Sequence, residues 1–230
     1  MNAPDSCRTA LRFATAAVLA CLLAACGTTV SGHPNASRNP ATTTVHANSD
    51  LARLLPDPSQ FPSRYAAVAL PAEVALQAAN DLDGILPRGD INPGSCAPQA
   101  PTAGPVVMVG TDDTTRATLT VELTRADQPL SKLRNQLQQC TTVHVTHSGT
   151  TATITTELDP APPLDADDTL ALRRTVTSES VTQPRTMQTL LGQIGDIRIN
   201  VTYMSFTNAP SDTEALDTLF ATAVTKVRKG

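Results

Sequence analysis

The sequence predicts an α+β fold: a central antiparallel sheet of about six to seven strands with helices packed on one face. Three observations predict it. Between Ala117 and Arg125, Leu119, Val121 and Leu123 alternate with polar residues, the pattern of a strand with one buried face. Several such threonine-rich runs are separated by short turns carrying Gly or Asp, which favours hairpins over parallel crossovers. The chain closes on Leu216, Leu219, Phe220, Ala223, Val224 and Val227, spaced as the apolar stripe of a helix.

The elements follow in chain order. Pro56, Pro58 and Pro62 punctuate an entry segment, and residues 65–70 read as a strand. Pro71 suits the first position of a helix, with Glu73 in its first turn, running to about Asn80 and stopped by Asp83-Gly84. Residues 87–105 are rich in Pro and Gly and read as a loop. Strands at 106–109 and 115–125 flank a hairpin turn at 110–113. A short helix runs from Pro129 to Gln139, with Leu130, Leu133 and Leu137 on one side. Residues 141–146 and 151–158 pair around Ser148-Gly149, and a Pro/Asp loop covers 159–168. Strands at 169–178, 186–191 and 196–206 follow, the last two turning at 192–195. Ser211-Asp-Thr-Glu214 reads as a capping box for the final helix.

Composition narrows the function. Hydrophobic residues make up 40% of the 230 and aromatics 3%, with no Trp, so the core rests on Leu, Val, Ile and Ala and offers little for stacking bases or sugars. Net charge is −4 and no long Lys/Arg run exists, so no nucleic-acid partner is expected. Lys226-Val227-Arg228-Lys229 suits the negative end of a helix dipole.

The N-terminus reads as an address. Arg8 and Arg12 precede an apolar run from Phe13 to Ala25, which is about half the ~20 residues a spanning helix needs. The run ends in Leu23-Ala24-Ala25-Cys26, a match to the bacterial lipobox. Residues 1–25 are therefore expected to be a lipoprotein signal peptide. Cys26 is the expected lipid-attachment residue, holding the mature chain on the extracytoplasmic side of the cell membrane through a diacylglyceryl group. Two acyl chains give stable attachment where one does not. Residues 26–50, rich in Thr, Ser and Pro, read as a flexible tether reaching roughly 25–30 Å. A single domain spans 51–230, and a monomer is expected.

Five cysteines sort by position. Cys7 and Cys21 leave with the signal peptide and Cys26 carries lipid. Cys96 and Cys140 remain, and in an oxidising compartment they are expected to pair.

The search for chemistry yields little. No Gly-x-Ser-x-Gly elbow or Ser-x-x-Lys set occurs, and Ser131-Lys132 is only an adjacent pair. His144 and His147 lie three apart on a strand, so their side chains diverge and no metal is expected there; His33 and His46 fall in the tether. Asp112-Asp113 and Asp165, Asp167 and Asp168 are the acidic sites; the second offers weak calcium binding but lacks the ligand spacing and terminal Glu of a calcium loop, so a solvated loop is the better reading. Arg173-Arg174 sits in a strand, so one of the two points inward and needs a carboxylate partner or an anionic ligand. No catalytic residue and no cofactor is expected.

The lipobox, the Thr/Ser/Pro tether, the Pro-rich entry, Leu86-Pro87-Arg88-Gly89-Asp90 ahead of Cys96-Ala-Pro, a second cysteine after a short helix and a closing capped helix together form a pattern. It resembles mycobacterial lipoproteins of uncharacterised function. It is also similar in plan to the extracellular sensor domain of the mycobacterial kinase PknH and its lipoprotein relatives. The resemblance implies an α+β domain with a central antiparallel sheet and a cleft able to hold a ligand. The sensor domain has two disulfides, whereas one cysteine pair is available here. Three functions are therefore expected in turn: a non-catalytic envelope module binding a small molecule, lipid or partner; a lipid or glycolipid carrier with an apolar cavity; and an envelope hydrolase with a polar cleft.

Overall fold

A computed structural model of the chain describes residues 50–85, 89–99, 104–178, 181–207 and 210–230. The signal segment, Cys26 and the tether lie outside the described residues. Residues 50–54 are helical (α1). Then come β1 (Ala66–Ala69), α2 (Ala72–Leu82), β2 (Asp90–Asn92), β3 (Val106–Asp112), β4 (Ala117–Arg125) and α3 (Leu130–Gln139). They are followed by β5 (Thr142–His147), β6 (Thr150–Asp159), β7 (Asp168–Ser178), β8 (Val181–Ile194), β9 (Ile197–Ser205) and α4 (Thr213–Lys229).

The strands form one nine-stranded antiparallel sheet in the order β1-β3-β4-β9-β8-β7-β6-β5-β2. The expected count of six to seven falls short. Part of the difference is β2, three residues in a segment read as a loop because of its Pro and Gly content. It pairs with β5, Ile91 opposite Val145, and its neighbours are too few to give a periodic signal. Short edge strands of this kind are recognised by pairing, not by propensity.

Helices pack on both faces, not one. On the first face, Leu119, Val121 and Leu123 of β4 and Ile199 and Val201 of β9 are fully buried beneath Leu219, Phe220 and Ala223 of α4, with Leu51 and Leu55 of the entry segment beside them. Gly192 on β8 leaves the space that the Phe220 ring occupies; a Cβ there would come within 3.3 Å of its Cζ. On the second face, Leu130 and Leu137 of α3 pack on Leu170, Leu172 and Leu191, and Leu82 of α2 packs on Met187 and Met204. The alternating polar residues of β4 read as water-facing, because threonine and glutamate tolerate water. Instead Thr120 is buried there, and Glu122 and Thr124 line the space left beneath the helices.

Local chemistry fixes the boundaries. Asp212, one residue later than the expected Ser211, caps α4 by accepting a hydrogen bond from the Ala215 amide at 3.2 Å. Ser148 and Gly149, at φ 49° and 80°, make the two-residue turn between β5 and β6 that needs positive φ at both positions. Asp112 is 4% exposed and holds the β3–β4 turn, accepting from the Thr114 amide at 2.9 Å and the Thr115 hydroxyl at 2.8 Å. The turn lies at residues 113–116, just after the expected 110–113.

Candidate functional site

Two connections cross the second face. The chain leaves β1 at one edge and reaches β2 at the other, with α2 on the way; it leaves β4 and reaches β5, with α3 on the way. The end of α2, the length of α3 and the 94–99 segment do not close fully on the sheet. They leave a cavity of about 500 Å³, within the usual range of small-molecule sites. Cys96 and Cys140 are joined by a disulfide with their Cα atoms 5.7 Å apart, as expected. The bridge forms part of the cavity wall, and Gln136 Nε2 donates to Ser95 O and Ala97 O, both at 3.1 Å, so α3 grips the 94–99 segment a second way.

The floor is a hydrogen-bonded network laid across three central strands. Glu122 of β4 lies opposite Asn200 of β9, and Thr202 of β9 lies opposite Thr189 of β8. Thr202, fully buried, donates its hydroxyl to Asn200 Oδ1 at 3.0 Å. Its proton thus spent, it accepts from Thr189 across 2.9 Å. With its oxygen taken, Asn200 presents Nδ2 to Glu122 Oε2 at 3.0 Å. The chain Thr189→Thr202→Asn200→Glu122 therefore has one direction, and it leaves Glu122 Oε1 without a hydrogen-bond partner among the described residues.

Glu122 is half-buried and lines the cavity. Removal from bulk water pushes its carboxyl up to about 7, with a smaller push from Asp83 and opposition from the Asn200 hydrogen bond, Arg174 and Arg198. Arg198 is itself partly desolvated, which lowers its pKa. Its Nη2 donates to Gln128 O at 2.7 Å and Gln193 Oε1 at 3.1 Å, while its buried Nε has no acceptor among the described residues. Arg174, 8% exposed, donates to Leu82 O and Asp83 Oδ1, both at 3.1 Å, and so holds the end of α2 over the floor.

A stability prediction follows with its sign. The folded carboxyl of Glu122 binds its proton more tightly than the unfolded one near 4.5. Its contribution is therefore intact below pH 4.5 and is lost as pH rises to about 7, with a total on the order of 3 kcal/mol. Glu122→Gln is expected to remove this slope. Urea unfolding midpoints between pH 5 and pH 8, compared for the two proteins, check it; parallel profiles would contradict the buried-carboxyl assignment.

The sequence-named residues divide. Arg174 is the inward member of the arginine pair, with Asp83 as its carboxylate and the cavity beside it; Arg173 is outside, near Asp159 at 3.2 Å. Lys132 stands exposed at the cavity rim. His144 meets Thr153 Oγ1 at 3.2 Å on the strand face opposite Val143 and Val145. Asp165 and Asp167 both pair with Arg228 on α4, and Asp168 pairs with Arg134 on α3, so two arginines hold the three carboxylates. Lys226 reaches Asp57 at 3.0 Å. Glu122, Asn200 and Arg198 were not legible as a site. The signal was Glu122 itself, a carboxylate in the middle of a strand whose other face carries Leu119, Val121 and Leu123.

No protein-family model matches the chain, and no curated protein matches it. The solved structures similar to it include two from mycobacteria. One is an uncharacterised protein from Mycobacterium smegmatis, the Rv0999 ortholog, with 15% identity and a TM-score of 0.45, covering 74% of this chain and 92% of that one. The other is the extracellular domain of PknH from Mycobacterium tuberculosis, with 13% identity and a TM-score of 0.44, covering 76% and 98%.

Proposed function

We propose that this protein is a non-catalytic, sensor-like binding module of the cell envelope that captures a small molecule in the cavity beneath α3. The observation that carries this reading is the pre-ordered floor. Four side chains from three strands are hydrogen-bonded in one direction, so the cavity presents a fixed polar group, Glu122 Oε1, without further reorganisation. Leu133 and Leu137 above it supply apolar contact. Attachment through Cys26 and a position outside the cytoplasmic membrane belong to the same proposal and rest on the lipobox. Metabolic labelling with an alkyne fatty acid, lost in Cys26→Ser, tests the anchor.

A carrier of acyl chains is supported less well, because Glu122, Arg174 and Arg198 would have to be buried under hydrocarbon. Hydrolysis is favoured by the burial that pushes the Glu122 carboxyl up to about 7, where a general base works best. Native mass spectrometry of the full chain purified from an envelope fraction separates the readings. A small-molecule adduct that Leu133→Trp abolishes supports capture. Turnover of an ester or amide panel that Glu122→Gln abolishes would replace it with catalysis.

A further inference from the structure

We infer that the ligand is a small organic anion of the carboxylate class, held head-down against Glu122 Oε1 and the cations around it, with an apolar body lying along α3. The inference rests on the cavity being a binding site and adds the chemistry of what fills it. Asn200 Nδ2 occupies Glu122 Oε2 as a donor, so a proton on Glu122 resides on Oε1, and Glu122 lines the cavity. There it is a donor seeking an acceptor. A ligand carboxylate supplies one, and a carboxyl–carboxylate hydrogen bond is of the strong, charge-assisted kind.

The charges around Glu122 agree in sign. Those lining the cavity are Asp83 at the end of α2, Lys132 on α3, Arg174 on β7 and Arg198 on β9; the facing residue of β8, Thr189, is uncharged. Asp83 is already paired with Arg174. Arg198 and Lys132 have no carboxylate within ion-pair distance among the described residues, and Arg198 donates only to neutral oxygens. An ammonium ligand would face both cations, whereas an anion would neutralise them. The apolar requirement comes from Leu133, Leu137 and the disulfide wall.

The affinity for such an anion depends on pH with a defined sign. The carboxylate binds when Glu122 carries its proton and is repelled when it does not. With Glu122 pushed up to about 7, affinity falls about tenfold from pH 6 to pH 8.

The test uses the full chain and three probes of one length: hexanoate, hexanamide and hexylammonium. Side-chain methyl NMR locates binding and gives affinity at pH 6, 7 and 8. The expected result is hexanoate binding at the Leu133 and Leu137 methyls, at least tenfold tighter than either other probe at pH 6, and weakening about tenfold by pH 8. Glu122→Gln, which keeps a donor without the titration, is expected to bind hexanoate equally at all three pH values. If that variant does not fold, the wild-type profile alone decides. Tighter binding of hexanamide or hexylammonium at the same methyls overturns the anion class and leaves the cavity reading standing. Hexanoate binding that is flat with pH overturns the role of Glu122. No methyl shift from any probe overturns both the ligand class and the cavity as a site for molecules of this size.

Discussion

Phe220→Ala is expected to lower the unfolding free energy by about 3–5 kcal/mol, the largest effect of any single side chain considered. The ring is fully buried. It fills the space over Gly192 on β8, at van der Waals distance from that backbone, and belongs to the main core cluster with Val201, Leu219 and Val224. Deletion removes the transfer energy of the ring and leaves a void. The strands beneath are fixed by ladder bonds on both sides and cannot move in to fill it. Urea unfolding should show a lower midpoint with an unchanged slope. A loss below about 1 kcal/mol would mean that the α4 interface is not the main core. Phe220→Leu, which retains most of the volume, should cost less.

Loss of the Cys96–Cys140 disulfide comes second. The two cysteines are 44 residues apart, and closing a loop of that length is worth about 4 kcal/mol in the chain-entropy model. The effect also has a place. The bridge ties the 94–99 segment to the end of α3, leaving the two Gln136 hydrogen bonds to hold the cavity wall when it is cut. Cys96→Ser with Cys140→Ser is therefore expected to lower the unfolding midpoint and to weaken ligand binding together. Intact mass with and without reductant should differ by two hydrogens. Two freely alkylated thiols in the unreduced protein would refute the bridge, and an unchanged midpoint would refute its structural role.

What the sequence made legible was whatever repeats at short range. The hairpin around Ser148-Gly149, the β4 alternation, the α3 and α4 stripes and the cysteine pair depend on neighbours a few residues away or on simple elimination. The entry of α2 at Pro71 and its end before Gly84 were legible for the same reason. What was not legible depends on the order of strands. β9 returns between β4 and β8, and that insertion brings Glu122 beside Asn200, 78 residues later. A threonine on an exposed strand face and Thr202 on the cavity floor look alike in one dimension. The same holds for helices on one face or two: the crossing made by α2 follows from β2, a three-residue element with no periodic signal, being the far edge strand, and the crossing made by α3 from β5 lying beside it.

Arg174 marks the boundary between the two kinds of information. Its place in a strand predicted that one of the arginine pair turns inward and needs a carboxylate. Which carboxylate, Asp83 at the end of a helix 91 residues earlier, required the fold.

The central claim is that the cavity between α3 and the sheet is where this protein meets its ligand. Methyl NMR of the full chain against a mixed library of small polar and amphipathic compounds tests it most directly. Binders are expected to shift the methyls of Leu133, Leu137, Ile154 and Leu172, which line that cavity, and Leu133→Trp is expected to remove those shifts. Binders that leave these methyls unmoved and gather instead around the exposed Val68 or Phe206 would contradict it.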